Sequence, residues 1–213
     1  MFTGLIEEVG EIIGITKIGL KRYFDIKCYK IPKDIKIGSS VACDGICLTV
    51  IQKNDDSIKV EAMNETLFKT TAKFWDISTK INLERAVKAN QRLEGHYVLG
   101  HVDTVGQINS KTFINDTLYL EFIVDEKFYP LIVPQGSITI NGVSLTIAKL
   151  KDYSFMVALI GHTIENSNLR LAKEYVNIEF DVIGKYVRRN MEFYETEEDD
   201  DEIDQDWLRD NGF

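Results

Sequence analysis

The sequence predicts an all-β protein made of two tandem copies of one small antiparallel barrel or sandwich. Three observations predict it. The chain repeats itself at an offset of 95 to 97 residues, each copy consists of short β-branched runs, and each copy carries a strong hairpin turn at the matched place.

The repeat shows in four segments that keep one order. Residues 2–12, FTGLIEEVGEI, align with 98–108, VLGHVDTVGQI, and share Gly4/Gly100, Val9/Val105, Gly10/Gly106 and Ile12/Ile108. Residues 40–50, SVACDGICLTV, align with 137–147, SITINGVSLTI, and share Ser40/Ser137, Gly45/Gly142, Leu48/Leu145 and Thr49/Thr146. AMNETL (62–67) meets LIGHTI (159–164) through Thr66/Thr163, and INLERAV (81–87) meets VNIEFDV (176–182) through Asn82/Asn177 and Glu84/Glu179. The expected domains are therefore 1–94 and 95–184, joined across the polar stretch KANQRLEG (88–95), with a C-terminal extension over 185–213.

Along each copy the elements follow in turn. VGEIIGIT, DIKCYKI, SSVACDGICLTVI, SIKVEAM and KINLERAV are strand-like runs punctuated by Gly, Asn and Asp. Asp44-Gly45 and Asn141-Gly142 each sit between two runs, a type I′ hairpin signal that puts Cys47 and Ser144 just past a tight turn. Short strands at this spacing suit a closed barrel, which leaves no exposed edges. Residues 66–74 and 163–172 are the helix-like stretches inside the repeats. Residues 185–194 can form a helix with Tyr186, Val187, Met191 and Tyr194 near one face. A lone helix that short is marginal unless packed, so it is expected to meet another subunit.

Composition narrows the function classes. At 44% hydrophobic and 28% charged residues, the 213-residue chain is not a disordered one, and no apolar run is long enough for a membrane span. The net charge of −9 is local: nine acids between Glu195 and Asp206 account for it, leaving 25 acids against 25 bases elsewhere. A neutral body argues against nucleic acid as a partner, and the acidic run reads as a solvated tail. Three cysteines (Cys28, Cys43, Cys47) cannot all pair, and no His or Cys set completes a metal site. Free thiols and the lack of a leader pattern point to the cytoplasm.

A duplicated domain should bind two similar things, and chemistry should lie where the copies diverge. Leu5 becomes His101, Cys47 becomes Ser144, Ala86 becomes Asp181 and Gly38 becomes Gln135. Each change has a plain structural reading: a hydrogen-bonding histidine, a small buried thiol, ordinary strand hydroxyls, an aspartate closing a turn. Against these, His titrates near neutrality and is the side chain best suited to proton transfer.

The opening Met-Phe-Thr-Gly, together with DGICLTV, GHYVLGHVD and NGVSLTI in this order and spacing, closely resembles the riboflavin synthase family of the α-chain type over residues 1 to about 190. The resemblance implies two six-stranded Greek-key barrels plus a C-terminal helix, assembled as a homotrimer through those helices. It implies a transferase that dismutates two molecules of 6,7-dimethyl-8-ribityllumazine, giving riboflavin and 5-amino-6-(ribitylamino)uracil without metal or organic cofactor. Each barrel would bind one lumazine, and the active site would form where the first barrel of one subunit faces the second barrel of its neighbour. Lumazine synthase is the further partner it suggests.

By motif match, binding positions in the first barrel fall on Gly4, Leu5 and Ile6, on Ser40, on Cys47, Leu48 and Thr49, and on the stretch Glu61, Ala62, Met63, Asn64, Glu65 and Thr66. In the second they fall on Gly100, His101 and Val102, on Gln135, on Ser144, Leu145 and Thr146, and on Leu159, Ile160, Gly161, His162, Thr163 and Ile164. His101 is expected as proton shuttle, with Ser144 and Cys47 near the reacting carbons. Phe2 would pack across the site, and Asp181 would hold a ribityl hydroxyl or orient a partner. Gln135 stands where many family members carry Lys, replacing a cation by a neutral donor, and His162 departs from the Pro-Glu-Thr-like pattern common in the family. A non-catalytic lumazine- or flavin-binding protein is the alternative on the same fold, but it has no need of His101 or of Ser144-Leu145-Thr146. A flavin-dependent oxidoreductase would need an Arg-x-Tyr-Ser/Thr signature and a Gly-rich nucleotide loop, and the sequence has neither.

Overall fold

In the computed structural model, residues 1–198 and Arg209 are described. Strands β1 (Glu8–Ile18), β2 (Lys21–Lys27), β3 (Ser40–Cys43), β4 (Ile46–Lys53), β5 (Ser57–Ala62) and β6 (Lys80–Arg85) close one antiparallel barrel in the order β1-β2-β5-β4-β3-β6. Strands β7 (Thr104–Ile114), β8 (Thr117–Ile123), β9 (Ser137–Ile140), β10 (Val143–Leu150), β11 (Phe155–Leu159) and β12 (Tyr175–Phe180) close a second in the same cyclic order. The chain takes the closed six-stranded barrel that the family resemblance implies, twice over. Even the irregularities repeat: the β1–β2 ladder slips between Ile12 and Gly14 and the β7–β8 ladder between Ile108 and Ser110. Such bulges increase the local twist and bend a sheet toward closure.

Alternation fills each barrel. Phe24, Ile26, Ile58 and Val60 point into the first core with Leu83, while Leu120, Phe122, Phe155 and Val157 fill the second with Ile178. Short helices cap the same end of each barrel: α1 (Asn64–Lys69) with a 3-10 turn over Thr71–Phe74, and α2 (Gly161–Glu165) with one over Asn168–Arg170. Two further 3-10 turns, Ile31–Asp34 and Glu126–Leu131, carry no helical periodicity in the sequence and each holds a proline.

The C-terminal helix, α3, is longer than expected and covers Val182–Glu198. Asp181 starts it, its Oδ1 accepting the Ile183 N–H at 3.0 Å. The acidic run enters this helix at Glu195, and its part beyond residue 198 lies outside the described residues.

The barrels meet along a buried polar seam with twofold pseudo-symmetry. The Asn82 side chain donates to the Asn141 carbonyl at 2.9 Å, and that of Asn177 donates to the Asp44 carbonyl at 2.9 Å. Their side-chain oxygens accept in turn from the Asn168 and Thr71 backbone amides at 2.6 and 2.8 Å. The shared Asn82/Asn177 of the repeat is therefore the joint between the copies. Burial at this joint makes every hydrogen bond there costly to lose.

Candidate active site

The hairpin tips place the divergent pair. Asp44 and Gly45 lie at φ 46° and 78°, Asn141 and Gly142 at φ 45° and 78°, as a type I′ turn requires. The two tips touch, for a Cβ on Gly45 would stand 2.7 Å from the Gly142 nitrogen. Cys47 and Ser144 thus begin matching strands on either side of the pseudo-dyad, both half-buried.

The segments leading into β1 and β7 cross over. Phe2 and Val98 pair antiparallel at the dyad, with N–H to O distances of 2.7 and 3.2 Å, and pack on Ala42 and Cys47. Beyond this bridge the Gly4 carbonyl accepts the Ser144 N–H of the second barrel at 2.8 Å, and Ile6 packs against the second core. Reciprocally, the Gly100 carbonyl accepts the Cys47 N–H of the first barrel at 2.9 Å, and Val102 packs against the first core. Gly4 and Ile6 thus lie against the second barrel and Gly100 and Val102 against the first, whereas the motif match groups Gly4, Leu5 and Ile6 with the first barrel and Gly100, His101 and Val102 with the second. A duplicated sequence gives each lead segment the same local pattern, and only the docked pair shows which barrel each one covers. The approach is close enough to demand glycine. Gly4 and Gly100 sit at φ 80° and 76°, and a Cβ on either would lie 2.6 or 2.7 Å from the Cβ of Ser144 or Cys47.

Ser144 has a partner that the sequence reading passed over. Its Oγ lies 2.7 Å from His96 Nδ1, and His96 Nε2 lies 3.2 Å from Thr139 Oγ1. Burial holds this imidazole below its ordinary value, opposed by the nearby Asp181 carboxylate, and so favours the neutral ring. When Nε2 carries the proton and donates it to Thr139, Nδ1 is free to accept the Ser144 hydroxyl hydrogen. The signal was in GHYVLGH: alternation puts His96 and Val98 on the buried side and turns His101 outward. His101 is exposed accordingly, and its backbone N–H donates to Glu179 at 3.1 Å.

The remaining expected positions sort by face. Thr49 and Thr146 are exposed on β4 and β10, opposite Ser40 and Ser137 in the ladders. Met63 and Ile160, at the entries to α1 and α2, expose 51% and 66% of their surface beside the likewise exposed Asn64, Glu65, Gly161 and His162. Leu48, Ala62, Leu159 and Ile164 are buried wall, while Leu145, Thr66 and Thr163 are half-buried. Glu61 is held as an anion by Lys21 at 2.8 Å. Gln135 adopts φ 63° where its counterpart Gly38 adopts φ 90°, and both backbone amides reach the strand behind them, at 3.1 and 2.8 Å. In each barrel the expected positions thus join exposed hydroxyls and helix-entry residues to buried apolar wall. A cavity of about 680 Å3 at the seam, lined by Asp44, Phe74 and Tyr175 among others, touches none of these positions.

Comparison with known proteins gives this arrangement a context. The family model described as the lumazine binding domain matches twice, at residues 3–86 and 99–181. The riboflavin synthase of Actinobacillus pleuropneumoniae is 37% identical over 215 residues and that of Bacillus subtilis (strain 168) 38% identical over 215, each match covering the whole of both chains. Among solved structures, LumP complexed with 6,7-dimethyl-8-(1'-D-ribityl) lumazine superposes with a TM-score of 0.77 at 22% identity, over 84% of this chain and 99% of that one, and so shares the fold.

Proposed function

The chain belongs to the riboflavin synthase family, and from that premise we propose how its two barrels run the reaction. Each barrel takes one 6,7-dimethyl-8-ribityllumazine, and the pair exchanges a four-carbon unit to give riboflavin and 5-amino-6-(ribitylamino)uracil. A reaction between two copies of one molecule fits a protein built from two copies of one pocket. Holding both rings in register supplies the orientation part of the rate.

The observation that carries the assignment of roles is the 2.7 Å contact between Ser144 and His96. Through it His96 takes the hydroxyl proton of Ser144 and returns it, which lets one barrel act as the acid–base side of an otherwise symmetric pair. Among the described residues the Cys47 thiol makes no hydrogen bond, so the first barrel keeps the matched position as a plain contact to the ring. His101, exposed beside this site, is read as the carrier that exchanges protons with solvent; full turnover by His101→Gln would remove that role. Asp181, which caps α3, acts on the site through its field at His96.

Active-site completion between subunits belongs to the same reading. On α3, Ile183, Tyr186, Val187, Met191 and Tyr194 are each more than half exposed and recur at helical spacing. A homotrimer joined through these helices would cover them. A cytoplasmic setting fits three unpaired thiols, and lumazine synthase is the further partner of this reading; no helix among the described residues is long and apolar enough to cross a membrane. The test is direct: purified protein mixed with 6,7-dimethyl-8-ribityllumazine should yield riboflavin, seen by absorbance and fluorescence, with two lumazines bound per chain at saturation. One permanently empty barrel would overturn the pairing, and binding without turnover would leave a lumazine carrier.

A further inference from the structure

Two buried carboxylates stand behind the crossing lead segments. Glu84 on β6 accepts from the Thr3 backbone N–H at 2.6 Å, the Thr3 hydroxyl at 2.8 Å and the Gly4 N–H at 3.0 Å. Glu179 on β12, its counterpart in the repeat, accepts from Leu99, Gly100 and His101 N–H at 2.7, 2.9 and 3.1 Å. Both side chains are almost wholly buried, at 4% and 2% exposure, and among the described residues neither forms an ion pair within hydrogen-bonding distance. Three donors on one buried carboxylate hold the segment far more firmly than packing alone.

Those segments go on to grip the other barrel. Gly4, fixed by Glu84 of the first barrel, accepts the backbone N–H of Ser144 in the second. Gly100, fixed by Glu179 of the second barrel, accepts that of Cys47 in the first. We infer that Glu84 and Glu179 are cross-wired positioning residues: each barrel's glutamate sets the geometry of the ring-contacting residue, Cys47 or Ser144, in the opposite barrel. This rests on the reading of Ser144 and Cys47 as the residues at the two reacting rings. It gives the shared Glu of the repeat a function beyond stability, since the two halves of a two-ring reaction are held in register by each other's strands.

A purely structural role would loosen both sites alike, and the wiring predicts otherwise. Cys47 is the half-exposed thiol, whereas Cys28 and Cys43 are buried, so alkylation by iodoacetamide reports on residue 47. Glu179→Gln, which sets an amide against a row of N–H donors, should raise the Cys47 alkylation rate roughly tenfold or more by freeing the overlying segment. Glu84→Gln should leave that rate at the wild-type value. With Cys47→Ser and Ser144→Cys combined, the thiol placed at 144 should respond to Glu84→Gln and not to Glu179→Gln. With the native site, both Gln variants should lower kcat by about 10²-fold with little change in KM, as expected for misplacement of reacting groups.

Equal acceleration of both thiols by either variant, or acceleration of neither, overturns the inference. Should a Gln variant not fold, Glu84→Asp or Glu179→Asp keeps the carboxylate one methylene short and is read by the same two rates. The thiol rates need no substrate. A wild-type protein that fails to make riboflavin would therefore sink the proposed function while leaving the wiring to be decided separately.

Discussion

Asp44 and Asn141 occupy the same place in the two hairpins, yet one ionises and the other cannot. Burial pushes the Asp44 carboxyl up to about 7, against the donors Asn82 N–H and Asn168 Nδ2. A folded-state value raised above 3.8 means that its contribution to stability is complete below about pH 4 and is lost as pH rises through about 7. Glu84, lifted by burial from 4.5 to about 7, adds a loss of the same sign in the same window. Asp44→Asn should therefore flatten the pH dependence of Tm across this window and stabilise the protein at pH 8 by on the order of 1–3 kcal/mol; a lower Tm than wild type at pH 8 would contradict the assignment. At the reacting residues, His96→Gln and Ser144→Ala should each lower kcat by roughly 10²-fold or more while both barrels melt normally. The two together should cost little more than either alone, because they form one hydrogen-bonded unit. Riboflavin formation rates on the three variants check this.

The elements divide into the barrel strands and helix α3, whose apolar stripe finds no cover among the described residues. Each barrel strand finds its neighbours inside its own copy. Helix α3 is held to the second barrel on one side only, by Lys185 to Asp103 at 2.6 Å and by Arg188 Nη1 donating to the Lys127 carbonyl at 2.7 Å. Among the described residues its apolar stripe stays uncovered, and the proposed homotrimer would cover it. Val187→Glu or Met191→Glu should shift the mass seen by light scattering from three chains toward one, with barrel melting unchanged and turnover lost if the site is completed between subunits. An unchanged mass would place the interface elsewhere. The helix itself was legible in KYVRRNMEFY, although its start depends on Asp181, whose capping bond appears only with the helix formed.

At the scale of the molecule, the seam makes two barrels into one unit. Asn82→Ala would strip the Asn141 carbonyl and the Asn168 N–H of their partners, and should cost about 2–4 kcal/mol, seen by calorimetry as a lower Tm with the barrels beginning to melt separately. Asn177→Ala should match it by symmetry. An exposed-residue response, under about 0.5 kcal/mol, would mean the seam is not what joins the copies. The duplication, the strands, the two I′ turns and the divergent Cys47/Ser144 pair were all determined by the sequence alone, because alternation, turn chemistry and repeat spacing are written within a few residues of one another. The crossing of residues 2–6 and 98–102, the carboxylates behind them and the contact between His96 and Ser144 were decided only by the tertiary structure. His96 and Ser144 are 48 residues apart, and Thr3 and Glu84 are 81 apart. Separations of that size leave no trace in local pattern; they are set when a closed barrel leaves a buried donor only one acceptor within reach.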